Sequence, residues 1–133
     1  VVLAVLVNNK IYILKMSLLK KAENTKQAWA FSLKRGMYKD TLTCYDENFI
    51  FKGTKSKKAT TDKYDLSKYF KKFSNEVNDV TFFKNNINMV KNNMVFDAGR
   101  YNFKLDNSTI KAQYFFVFDN KGKILIHYST FYD

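Results

Sequence analysis

A chain of 133 residues is one domain's worth of polypeptide, long enough for one sizeable core and not for two. An apolar fraction of 46% with 13 Phe and 9 Tyr excludes a disordered chain, while one cysteine, Cys44, and one histidine, His127, exclude an intramolecular disulfide and a thiolate and imidazole zinc site, so no metal or cofactor is indicated. The formal charge of +11 is almost wholly lysine, with Arg35 and Arg100 the only arginines; lysine lacks the planar fork that reads phosphate and guanine, which argues against nucleic acid as the partner.

The chain opens on "VVLAVLVNNKIYIL", whose apolar heptad is too short to span a bilayer, so no integral membrane segment is expected. Residues 1–15 read either as the remnant of a signal-peptide h-region, which would make the domain periplasmic or secreted, or as a segment that packs or frays on a cytoplasmic domain. The domain proper is expected over 16–133. Ser17 can cap a helix carrying Leu18, Ala22, Thr25, Trp29 and Leu33 at spacings of three and four, and Gly36 can end it in a left-handed conformation. A short helix around Asp40 to Tyr45 and a strand in "ENFIFKGT" follow. Thr61 or Asp62 then caps a helix with Leu66, Tyr69, Phe70 and Phe73 along one face, its lysines forming the solvated side.

After Asn78 the period changes to that of strands. "DVTFFKNNINMV", "MVFDAGRYNFKL", "TIKAQYFFVF" and "KILIHYSTF" are four β-rich runs, separated by "KNN", "LDNS" and "DNKG", all suited to hairpin turns. Strands joined so tightly pair antiparallel. The expected class is α+β: N-terminal helices packed on a curved antiparallel sheet, with a conical pocket between them.

The run "FDAGRYNFKLDNSTIKAQYFFVFDNKGKILIHYST" resembles the C-terminal half of the NTF2-like (cystatin-like α+β) superfamily, in its SnoaL-like branch near the calcium/calmodulin-dependent kinase II association domain. The matching positions are Ala98, Gly99, Tyr101 and Phe103, then Ala112, Tyr114, Phe116 and Val117, then Gly122, Lys123, His127 and Ser129. Upstream, "AWAFSLKRG", "CYDENFIFKGT" and "DLSKYFKKF" resemble the family's first helix, following strand and third helix. The chain departs from the family pattern at Gln113, where a pocket-lining arginine is usual, at Tyr128 in place of a second histidine, and at Ile124 in place of a tryptophan.

The resemblance implies a cone whose walls bind a ligand, and it places Gln113 toward the cavity with Tyr101 and His127 as neighbours. Alternation adds Phe115 to the face of Gln113 and Ser129 to that of His127, and Trp29 supplies a wall. These six are the candidate binding residues. Tyr114, Phe116 and Phe118 then fall on the opposite, outer face, where exposed aromatics would join copies of the chain into a homo-oligomer, a dimer or larger. The expected function is thus a homo-oligomerising module that binds a small molecule or peptide. One alternative is a small-molecule enzyme of acid-base type with His127 as its only catalytic candidate; its carboxylate partners would be Asp97 or Asp119. Another is lysine-based binding to an anionic partner. Cys44 reads as a buried thiol.

Overall fold

Leu18, Ala22, Trp29 and Leu33 are buried along one side of the first helix, α1 (Val2–Lys34), and Thr25 is half-buried between them. The structure, a computed structural model, describes residues 2–132, with side chains from Val7 onward. The side chains of the apolar start from Val1 to Leu6 therefore lie outside the described residues. The helix does not begin at Ser17: that residue is exposed and mid-helix, because no glycine or proline interrupts the run upstream of it. Its end is as expected. Gly36 takes φ 72°, its N–H donates to the Leu33 carbonyl at 3.2 Å, and Met37 N–H donates to the Ser32 carbonyl at 2.9 Å. This pair of bonds is a Schellman cap, and the left-handed residue it needs is why glycine stands there.

A short helix, α2 (Tyr38–Leu42), leads into β1 (Tyr45–Lys52). The next helix, α3 (Lys63–Glu76), is capped by Asp62, whose side chain accepts from Tyr64 N–H at 2.7 Å, and it buries Leu66, Phe70 and Phe73. The strands follow as β2 (Asp79–Phe82), β3 (Ile87–Lys91), β4 (Met94–Lys104), β5 (Thr109–Phe118) and β6 (Ile124–Phe131). Asn92 and Asn93 both have positive φ, 52° and 63°, between the paired residues Lys91 and Met94. That is the two-residue turn whose twist suits a hairpin, and asparagine tolerates it.

The six strands form one curved sheet in the order β1-β6-β5-β4-β2, with β3 also on β4. Two features depart from the expected meander. First, "DVTFFKNNINMV" is two strands: β2 pairs with the end of β4 (Asp79 opposite Lys104) and β3 with its start (Lys91 opposite Met94). Second, the sheet is mixed, since β1 runs parallel to β6, with Phe51 opposite His127. Because α3 and four strands intervene, β1 need not obey the hairpin rule that makes the later strands antiparallel.

The faces of β5 are inverted relative to the expectation. Ala112, Tyr114, Phe116 and Phe118 are buried beneath the helices, whereas Gln113 and Phe115 are exposed on the outer face. The apolar stripes of α1 and α3 require the larger apolar set opposite them, and the other register would bury an amide in the core. Truncating Trp29, which packs against Phe70, Phe103, Phe116 and His127 and is 1% exposed, is expected to cost about 3–5 kcal/mol by urea unfolding.

Candidate functional site

The inner side of the sheet brings Trp29, Tyr45, Tyr101 and His127 into one hydrogen-bonded chain. Trp29 Nε1–H donates to Tyr45 Oη at 3.1 Å, Tyr45 Oη lies 2.8 Å from His127 Nδ1, and His127 Nε2 lies 3.0 Å from Tyr101 Oη. The indole is a donor only, so it sets the direction. Tyr45 accepts from it and gives its own proton to Nδ1, leaving the proton of the imidazole on Nε2 for Tyr101. The buried hydroxyls of Ser129 and Thr54 bond to each other. The His127 ring centre lies 4.2 Å from that of Phe116, the two planes tilted by 31°, and the residue is fully buried. That desolvation pushes its pKa down to about 3, so the ring is neutral at physiological pH. The same burial raises both Tyr45 and Tyr101 well above the usual phenol range.

The cone around this chain is filled. Phe51, Phe70, Phe73 and Phe103 pack between Trp29, Tyr101 and His127, leaving about 10 Å³ of open space, roughly the room of a single water. Neither carboxylate considered as a partner for His127 reaches it. Asp97 lies in the same cross-strand row with Phe116 between them, and Asp119 accepts from Lys121 and Lys123 N–H in the turn before β6.

Asp97 instead anchors a second buried polar group. Lys26 Nζ stands 2.7 Å from Asp97 Oδ2 and donates to Tyr114 Oη at 3.1 Å; Tyr114 Oη donates to the carboxylate at 3.3 Å, and Asn86 Nδ2 donates to it at 2.8 Å. The ammonium also sits 4.6 Å from the centre of the Phe82 ring. All buried side-chain nitrogens and oxygens among the described residues, those of this group included, are paired. Gly99 makes the arrangement fit. A Cβ there would lie 2.8 Å from Tyr114 Oη and 2.9 Å from Asn86 Cβ. Gly99→Ala is expected to push Tyr114 off Asp97 and lower the thermal midpoint by several degrees, a shift readable by differential scanning calorimetry.

The outer face of the sheet carries a different pattern. One cross-strand row runs Met89, Phe96, Val117, Ile126 and Ile50 from β3 to β1, and the next runs Ile87, Ala98, Phe115, Tyr128 and Lys52. Ile87 is 74% exposed and Met89 52%. Arg100, Gln113 and Thr130 form the third row, with Gln113 Nε2 donating to Thr130 Oγ1 at 3.2 Å. These side chains border an open hollow of about 420 Å³. Cys44 lies away from it, buried at the foot of β1, and desolvation pushes its thiol up to about 11.

Solved structures with the same course of helices and strands include an NTF2-like protein from Shewanella oneidensis MR-1, which aligns over 84% of this chain and 98% of its own at 16% identity with a TM-score of 0.69. The fold is NTF2-like. A protein named as a calcium/calmodulin-dependent protein kinase II association domain, from Xanthomonas campestris, aligns over 80% of this chain and 81% of its own, at 23% identity and a TM-score of 0.64. An LEH-like epoxide hydrolase from Mycobacterium tuberculosis aligns over 85% and 84%, at 10% identity and a TM-score of 0.60. No protein-family model matches the sequence. No curated protein matches it either.

Within this NTF2-like cone the structure gathers four of the six candidate residues, Trp29, Tyr101, His127 and Ser129. It places the other two, Gln113 and Phe115, on the far side of the sheet, which corrects their assignment to the cavity. Tyr45, Lys26 and Asp97 are interior polar residues that the candidate set lacks. Lys26 did leave a signal: it stands between Ala22 and Trp29 at the spacing of the buried stripe, where a charge needs a buried partner.

Proposed function

We propose that this NTF2-like chain is a non-enzymatic self-association module, and that the outer face of its sheet is the surface through which copies join. The observation that carries this reading is the pair of adjacent rows, one apolar across five strands and the other across four before it ends on Lys52, bordered by Arg100, Gln113 and Thr130. In an isologous dimer such a face meets a twofold copy of itself with the same residues. The similarity to a protein named as an association domain supports the same reading. The residues differ from those expected to form the interface: Ile87, Met89, Phe96, Phe115 and Tyr128 take the place of Tyr114, Phe116 and Phe118.

The expectation of a small molecule or peptide finds no room beside Trp29, Tyr101 and His127, where the aromatics leave about 10 Å³. The epoxide-hydrolase-like neighbour raises the acid-base alternative, in which His127 would act. A neutral imidazole with both nitrogens engaged by phenols is a poor proton donor at neutral pH, and the self-association reading does not need it.

Sedimentation velocity over a concentration series tests the proposal. The wild-type chain is expected to sediment as a dimer or larger, and Ile87→Lys with Phe115→Lys to shift it to monomer with an unchanged circular dichroism spectrum. A monomer at about 100 μM, far above the dissociation constant of an interface of ordinary size, would overturn it.

A further inference from the structure

Lysine supplies nearly all the positive charge of this chain, and Arg100 is one of only two arginines. It stands on β4, on the outer side of the sheet, in the row with Gln113 and Thr130. Its guanidinium carbon lies 5.2 Å from the centre of the Phe83 ring and 4.6 Å from that of the Tyr132 ring. Two aromatic contacts hold a long side chain in place. Among the described residues its guanidinium enters no ion pair and no hydrogen bond, so a fork of N–H donors is positioned and unengaged.

Arg100 lines the open hollow of about 420 Å³, a volume within the range of small-molecule sites. Ile87, Phe115 and Tyr128 give the hollow apolar walls, and Gln113 with Thr130 gives it a polar edge. Among the described residues no other charged side chain borders it. That single charge selects the occupant. A carboxylate accepts two parallel N–H bonds from the fork, and an apolar body attached to it covers the walls. A phosphate monoester carries close to two charges at neutral pH and would leave one of them without a cation in the hollow.

We propose that this outer-face hollow binds a small monocarboxylate with an apolar or aromatic body, gripped by the guanidinium of Arg100. The site lies across the sheet from the filled space beside Trp29, Tyr101 and His127. Ile87, Phe115 and Tyr128 also belong to the surface proposed for self-association, so the ligand and a second copy compete for them. The site does not rest on that reading, because every lining residue belongs to one chain. One charged contact on an open hollow gives an affinity of about millimolar, weak enough for the ligand to be lost on purification.

Titration of the isotope-labelled full chain with cinnamate, followed by NMR at the arginine Nε–H groups, tests the proposal. Arg35 is the internal reference for general attraction to a cationic chain. The Arg100 signal is expected to shift and saturate below about 10 mM cinnamate while that of Arg35 stays in place. Cinnamamide, the same body without the charge, is expected to bind at least about tenfold more weakly. Arg100→Gln is expected to lower the cinnamate affinity about tenfold or more, read at the Phe115 amide, and Arg100→Lys, which keeps the charge and loses the fork, by a smaller factor. No saturable shift, equal affinity for acid and amide, or equal shifts at Arg35 and Arg100 would overturn the proposal. So would cinnamate binding that appears only in Asp133→Asn, since the fork would then be taken by the chain's own carboxylate. Sedimentation of the unliganded chain judges self-association separately, so either reading can fail alone.

Discussion

Lys26→Met is expected to lower the unfolding free energy by about 3–5 kcal/mol, the cost of leaving one member of a buried ion pair behind. The lysine and aspartate side chains are 6% and 2% exposed, so neither is sheltered by solvent when its partner goes. Without the ammonium, Asp97 keeps only Tyr114 and Asn86 as donors in a wall of aromatic rings. Asp97→Leu alone should be comparably damaging, because it strands the lysine. The double variant Lys26→Met with Asp97→Leu is the informative one. A buried pair exchanged for apolar residues of similar volume is often neutral, so most of the loss should return, and urea unfolding of the four chains in this cycle reads the coupling directly.

His127 gives the second large effect, and its sign follows from the protons. In the unfolded chain the imidazole titrates near its ordinary pKa of about 6.5, whereas in the folded chain burial lowers it to about 3. Above pH 6.5 both states are neutral and the group costs nothing. Below it the unfolded state binds a proton that the folded state refuses, so stability falls as pH falls, by roughly 1.4 kcal/mol per pH unit until the folded group itself titrates. Between pH 7 and pH 5 the loss is about 2 kcal/mol, order of magnitude, to be read from denaturant unfolding at the two values. His127→Gln, which keeps hydrogen-bonding capacity toward Tyr45 and Tyr101 without a titrating group, is expected to flatten that dependence. A wild-type chain equally stable at pH 7 and pH 5 would show that the ring is protonated, or reachable by water, in the folded state.

The helices were legible in the residues to a useful degree. The spacing of Leu18, Ala22, Trp29 and Leu33, the cap at Asp62 and the stop at Gly36 are local signals, and local signals do not depend on what packs above them. The hairpins at Asn92 and Gly122 were legible for the same reason. Which face of β5 turns inward was not. Alternation orders Gln113, Phe115 and Val117 against Tyr114, Phe116 and Phe118, and each set carries aromatic or branched apolar residues; the apolar stripes of α1 and α3, with the cost of burying the Gln113 amide, decide between them. The break between β2 and β3 was likewise invisible, since Phe83 to Asn86 has ordinary strand composition at its start and its exit from the sheet depends on the limited edge that β4 offers. As for the site, His127 could be placed beside Tyr101, yet its neutrality rests on Phe51, Phe70 and Phe116, which arrive from three different elements. Lys26 was the legible residue passed over: a lysine on a buried stripe predicts a buried acid, and Asp97 is that acid.

Charge also bears on assembly. A chain of formal charge +11 repels its own copies, so apolar association on the outer face should tighten as salt screens that repulsion.

Native mass spectrometry of the purified full chain, set against its denatured mass, tests most directly whether this NTF2-like fold works through its outer face or its cone. The account predicts a dimer or larger whose mass is a whole multiple of the chain with no small molecule retained. A monomer carrying a bound small molecule would contradict it, placing the function in a cone that opens.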